Sequence, residues 1–333
     1  MVDTDTAEQT RGYRRIACEE GVATRTLLEA NARLGDIGLP LLTLDGPAAF
    51  LAERLIDHDA RLAAMDRDGI DLQLLMVSAP GVQVFSPADA SALAADVNDE
   101  LAELCRSHPT RFAALAAVAP HDPLVAAAEV ERAVRELGLR GAVVNSHTQG
   151  VYLDDPASFP LLEALEALEA PLYIHPREAP APMRPFLAGP AVEGAVWEYA
   201  VEVGTHVLRM IGAGVLDRFP RLQIVVGHMG EGLPFWLPRI DNRYLASVHG
   251  PRRAELLPSE YIHRQVSITT SGMNFLEPLR LAIDVLGTGK VLYASDYPFE
   301  EQGAAVAAIE AMPLDEAQRR ALFETNAARV FSL

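Results

Sequence analysis

Eight short apolar runs recur along the chain, and most are followed by a segment with helical periodicity. They cover residues 15–18, 70–77, 113–118, 141–145, 171–174, 222–226, 266–270 and 290–294. Continuous apolar runs of this length read as strands buried on both faces. Strands that alternate with helical crossovers must run parallel. Eight of them predict an α/β fold of the closed (β/α)8 TIM-barrel type rather than an open doubly wound sheet. No GxGxxG follows the first run and no GxxxxGK[ST] occurs, so a nucleotide-binding fold has no support.

Between these runs, helices are expected over 47–67, 88–108, 123–137, 159–169, 194–212 and 279–286, with a helical tail from 303 that starts afresh near Leu314-Asp315-Glu316. Residues 21–34 read as a loop followed by a helix. Residues 176–190 are too rich in proline for a helix and read as a rim or lid loop. Residues 1–12 are expected to form a disordered tail, and 13–333 a single barrel domain with loop insertions.

Composition narrows the function. Half of the 333 residues are hydrophobic, enough for one large core. The net charge of −18 argues against a nucleic-acid partner. Cys18 and Cys105 are the only cysteines and form no CxxC, which excludes a disulfide framework and fits a reducing cytoplasm. The acidic, polar start MVDTDTAEQT does not read as a signal peptide. No apolar run approaches the roughly 18 residues of a membrane span.

The strand ends carry the chemistry. Glu19 follows the first run, His175 the fifth and His228 the sixth, while Asp296 ends VLYASDYPF at the eighth. A barrel gathers such C-terminal ends around one mouth, where its chemistry sits. Carboxylates and an imidazole can hold a divalent cation, and two oxygen donors with one nitrogen favour manganese, with zinc or magnesium as alternatives. Glu231, three residues after His228, could fix the tautomer of that ring. Arg239 could pair a substrate carboxylate. Asn145 and His147 leave the fourth run toward the mouth. Phe235 and Trp236 read either as walls for an aromatic ring or as core. His58, His108, His121, His206, His249 and His263 read as structural or surface residues.

The segments RIACEEGVATR, NSHTQGVYLD, PLYIHP, LQIVVGHMGEGLPFWLPRID and VLYASDYPF resemble the metal-dependent amidohydrolase superfamily. The likeness is to the branch of the aminocarboxymuconate semialdehyde and hydroxybenzoate decarboxylases, and within it to the enzymes acting on 5-carboxyvanillate. The resemblance implies Glu19, His175 and Asp296 as metal ligands. It also matches His228 and Arg239 to substrate-contacting positions. Beside the metal, Asp296 could act as the proton donor, with His228 and Glu231 as catalytic partners, and Asn145, His147 and Phe299 are further candidate substrate contacts. The resemblance also implies a homo-oligomer, a dimer or tetramer.

Three departures stand out. Gly21 occupies the place of a ligand His in many members, residues near Pro47 show no counterpart of an expected Arg, and Phe299 replaces a Tyr. The expected activity is nonoxidative decarboxylation of a hydroxylated aromatic acid. The alternatives are a hydrolase or hydratase of a lactone or unsaturated acid, or a degenerate barrel that only binds.

Overall fold

The computed structural model describes residues 11–248 and 253–333. Its strands are β1 (Ile16–Val22), β2 (Leu72–Val77), β3 (Phe112–Ala114), β4 (Ala116–Ala117), β5 (Ala142–Asn145), β6 (Leu172–His175), β7 (Ile224–Val226), β8 (Val266–Thr269) and β9 (Val291–Leu292). Every pairing is parallel, in the order β1-β2-β3 and β4-β5-β6-β7-β8-β9.

These nine pieces occupy eight strand positions. β3 and β4 are one strand, because Leu115 N–H reaches back to Leu75 O and Ala116 N–H reaches forward to Gly141 O, both at 2.9 Å. The ring closes where Cys18 N–H donates to Tyr293 O at 2.9 Å and Gly21 N–H to Tyr297 O at 2.7 Å. This is the expected (β/α)8 barrel.

Alternation along the strands divides the core in two. Ile16, Leu74, Met76, Leu115, Tyr173 and Val225 fill the barrel, and Val330 and Phe331 from the last helix join them. Val22, Leu75, Val77, Val144, Ile174 and Val226 face the helical layer instead.

Some local expectations change. β1 extends to Val22, so Glu19, Glu20 and Gly21 lie within the strand and only Arg25–Leu34 is helical. The single helix expected over 47–67 is two, Ala49–Ile56 and His58–Asp68. The break falls at Asp57, whose carboxylate caps the second helix through Ala60 N–H. Two helices of eight residues or more went unforeseen, Leu233–Leu245 and Pro258–Gln265. Of the expected tail, residues 1–10 lie outside the described residues, as does His249, while Arg11 pairs with Asp71 at 2.7 Å. Among the described residues, no helix is long and apolar enough to cross a membrane.

Candidate active site

Glu19 enters the barrel mouth from β1 and is almost fully buried. Its Oε2 accepts hydrogen bonds from Tyr173 and, at 2.6 Å, from Thr269 Oγ1. Its Oε1 is buried and has no hydrogen-bond partner. An orphan carboxylate oxygen is costly, by about 1–3 kcal/mol or more. The strand ends supply what surrounds it: His175 Nε2 lies at 3.9 Å and His228 Nε2 at 3.8 Å. Asp296 Oδ2 completes the group, 3.7 Å from His228 Nε2. Gly227 makes room for this arrangement, since a Cβ there would fall 2.5 Å from Glu19 Oε1.

Neighbours of the two imidazoles set their roles. His175 Nδ1 lies 3.0 Å from Asn145 Oδ1. An amide oxygen can only accept, so Nδ1 carries the proton and Nε2 turns its lone pair toward Glu19. Burial lowers the His175 pKa to about 4, against the pull of Glu19, and keeps the ring neutral. His228 Nδ1 meets Glu231 Oε1 at 2.8 Å. Burial works against its charge, yet Glu19, Glu231 and Asp296 together raise His228 well above the ordinary value. Burial raises Asp296 to about 6, with His228 pulling down and Glu19 pushing up.

The backbone is strained at the same places. Asp296 (φ 71°), His228 (φ 48°), Met229 (φ 56°), Glu231 (φ 53°) and Ser146 (φ 38°) all adopt left-handed conformations. Non-glycine residues pay about 1–3 kcal/mol for this, and such strain gathers at functional sites.

The donor set fits a divalent ion. Two ligands each about 2.1 Å from a common ion can stand at most about 4.2 Å apart, and Glu19 Oε1 and His175 Nε2, at 3.9 Å, lie within that limit. Among the described residues, no three donors are yet drawn in to coordination spacing. Glu19, His175 and Asp296 could hold the ion once their side chains draw together, and the unbonded Glu19 Oε1 is the atom that most needs it.

Other expected site residues fall differently. At His147, Nδ1 accepts from Gly150 N–H at 3.0 Å and Nε2 bonds Glu178 O at 2.9 Å, so the loop backbone occupies both ring nitrogens. Burial lowers its pKa to about 4. Asn145 serves His175 rather than facing a substrate. Arg239 is exposed on the helix Leu233–Leu245 and, among the described residues, makes no ion pair with the group. Phe235 and Trp236 on that helix are exposed rather than core.

Phe299 does reach the mouth and explains Gly21. A Cβ on Gly21 would fall 2.8 Å from Phe299 Cε2 and 2.8 Å from Ser78 Oγ. The aromatic ring thus covers the place where a ligand side chain would have stood.

The sequence reading missed two arginines. Arg54 lies in the segment thought to lack one, with its guanidinium 5.3 Å from the centre of the Tyr297 ring and no acid partner among the described residues. Arg61 lies over the same ring at 4.7 Å, fully buried, and donates to Gln73 and to Gly21 O. Arg54 and Arg61 lie on the two separate helices either side of Asp57, so no single helical spacing joins them in the sequence.

A mouth of convergent carboxylates and imidazoles on a closed (β/α)8 barrel defines a mononuclear metal-dependent enzyme. The amidohydrolase family model matches residues 48–333, and the chain belongs to that family. It is 35% identical over 330 residues to the gamma-resorcylate decarboxylase of Polaromonas sp. JS666, covering 96% of this chain and 98% of that one. Among solved structures it is similar to 5-carboxyvanillate decarboxylase from Sphingomonas paucimobilis, with 40% identity, TM-score 0.91, and 96% and 99% of the two chains covered. It is equally similar in fold to the enzyme from Novosphingobium aromaticivorans, with 37% identity, TM-score 0.91 and 97% and 98% coverage. That structure holds manganese and 3-methoxy-4-hydroxy-5-nitrobenzoic acid.

Proposed function

We propose that the chain is a nonoxidative decarboxylase of 2-hydroxybenzoate-type acids, dependent on one divalent ion. The observation that carries this is the buried, unbonded Glu19 Oε1 facing His175 and His228 at the barrel mouth. When bound on Glu19, His175 and Asp296, the ion, manganese by its oxygen-rich donor set and by the metal of the Novosphingobium enzyme, supplies a Lewis-acidic centre for the substrate carboxylate and its ortho oxygen.

The chain's own groups do the rest. Asn145 keeps His175 neutral and aimed inward. Asp296, raised to about 6 by burial, keeps its proton to a higher pH than an ordinary aspartate and delivers it to the ring carbon bearing the carboxylate. Carbon dioxide then leaves with the bonding electrons returned to the ring. Glu231 fixes His228, whose Nε2–H donates to the phenolic oxygen. Phe299 lines one side of the ring, and Arg54 offers its unpaired charge to a second anionic substituent.

A cytoplasmic location, which the two isolated cysteines favour, and a homo-oligomeric state, which rests on the resemblance, belong to this proposal. Light scattering on purified protein checks the second. The central test is carbon dioxide release from 2,6-dihydroxybenzoate and 5-carboxyvanillate by manganese-loaded protein. Failure with every 2-hydroxybenzoate sinks the reading.

A further inference from the structure

Behind the mouth lies a second carboxylate that the chemistry above does not use. Glu20 has no exposed surface. Its Oε1 accepts from Ser295 N–H at 2.9 Å, and its Oε2 from Ser295 Oγ at 2.7 Å and Tyr297 N–H at 3.0 Å. Ser295 and Tyr297 flank Asp296, so the two oxygens grip the backbone on both sides of the residue that carries the proton.

Asp296 itself sits at φ 71°, a conformation that a non-glycine residue leaves when nothing holds it. The remaining contacts stiffen the same turn. Gly21 N–H, the next residue along β1, donates to Tyr297 O at 2.7 Å. Arg61 donates to Gly21 O from behind and covers the Tyr297 ring. Arg61 in turn bonds Gln73 at 2.9 Å, and Gln73 bonds Gln302 at 2.6 Å, so the grip is anchored in the surrounding helices.

Backbone N–H groups can only donate. The site therefore needs an acceptor on both arms, which a carboxylate provides and an amide does not. The structure assigns Glu20 as a positioning residue: its carboxylate holds the Ser295–Tyr297 backbone so that Asp296 keeps its left-handed conformation and its side chain stays at the mouth. The decarboxylase reading of the site is the frame for the catalytic half of this inference.

The test is a double-mutant cycle between Glu20 and Asp296, read on both Mn2+ affinity and turnover. Glu20→Gln keeps the shape but sets an amide N–H against Ser295 N–H or Tyr297 N–H. Loss of such supporting contacts costs about 10–100-fold in metal affinity or activity. We expect kcat to fall about 10-fold or more while KM moves less than about 3-fold, with Mn2+ binding weakened. In an Asp296→Asn background, Glu20→Gln should weaken Mn2+ binding by less than about 2-fold, because its effect runs through Asp296.

Full additivity of the two substitutions overturns the inference, as does an unchanged kcat and Mn2+ affinity in folded Glu20→Gln protein. If Glu20→Gln does not fold, Glu20→Asp, which keeps the charge and withdraws it by one methylene, carries the same cycle with the same outcomes. If the wild-type protein decarboxylates nothing, only the reading of the reaction fails, and the Mn2+ arm still decides the role of Glu20.

Discussion

Asn145 Oδ1 lies 3.0 Å from His175 Nδ1, and the two residues are register partners across β5 and β6. Adjacent strand ends thus supply both a prospective ligand and the group that fixes its tautomer. Replacing Asn145 with Ala frees the His175 ring to rotate and leaves Nδ1 unpaired. Mn2+ affinity should fall about 10-fold or more, measured by calorimetric titration of the apo protein. Unchanged affinity would mean that the pairing does not set the ligand.

His175→Ala should lower metal occupancy further than His228→Ala. The first removes a proposed ligand, and the second a group held by Glu231 and aimed at the substrate. Elemental analysis of both variants decides it. Equal losses would show that the two imidazoles share the metal.

Asp296→Asn should keep the fold and lose about 10²–10⁴-fold in turnover, the usual worth of a positioned acid. Asn can neither carry the transferred proton nor serve as an anionic ligand. A variant that retains more than about a tenth of the wild-type rate contradicts the assignment.

Buried His206 gives a pH signature distinct from the metal site. Its Nε2 accepts from Leu153 N–H at 3.1 Å, so Nδ1 carries the proton and donates to Ser146 Oγ at 2.9 Å. Ser146 donates onward to Glu202 at 2.8 Å. Burial lowers His206 to about 3. The folded state thus refuses a proton that the unfolded chain accepts below about 6.5. The stability His206 contributes is whole above that pH and is lost as pH falls toward 3. Melting of wild type and His206→Asn from pH 8 to 4.5 should show the gap between them largest above pH 6.5 and shrinking with acid. A gap that widens on acidification would mean that His206 is charged in the fold.

The barrel and the identity of its four mouth residues were legible because strand ends in this fold are forced together, whatever the loops do. Contacts that depend on distant chain were not. Glu20 meets Ser295 from 275 positions away, and no local pattern announces that meeting. β1 was cut short because Glu19 and Glu20 look like a loop. A register irregularity between Ala17 and Glu20 keeps them in the strand, one facing the mouth and the other the Asp296 turn. Arg54 was passed over because residues 47–67 carry one continuous periodicity, while the break at Asp57 has only a side-chain cap to mark it. His147 looked like a mouth residue because its strand aims there. The turn that follows bends back and takes up both ring nitrogens.

The last prediction concerns the substrate. The proposed mechanism needs two oxygens on adjacent carbons, the leaving carboxylate and an ortho hydroxyl. The hydroxyl donates electrons that make the protonated carbon basic, and it gives His228 Nε2 an oxygen to hold. Without it, a carboxylate alone cannot fix the ring carbon against Asp296, and positioning of this kind is worth several kcal/mol. Arg54 sets the second preference. Its guanidinium has no acid partner among the described residues, so a second anionic group should lower KM. Arg54→Met should raise KM for a dianionic acid about 10-fold while changing that of a monoanionic 2-hydroxybenzoate little, the worth of one charge-assisted hydrogen bond. The assay is carbon dioxide release by manganese-loaded wild type and Arg54→Met across benzoates with and without the ortho hydroxyl and the second carboxylate. Equal rates for benzoates that lack the hydroxyl would defeat the mechanism. A KM for the dianion that ignores Arg54 would leave the mechanism standing and remove Arg54 from the site.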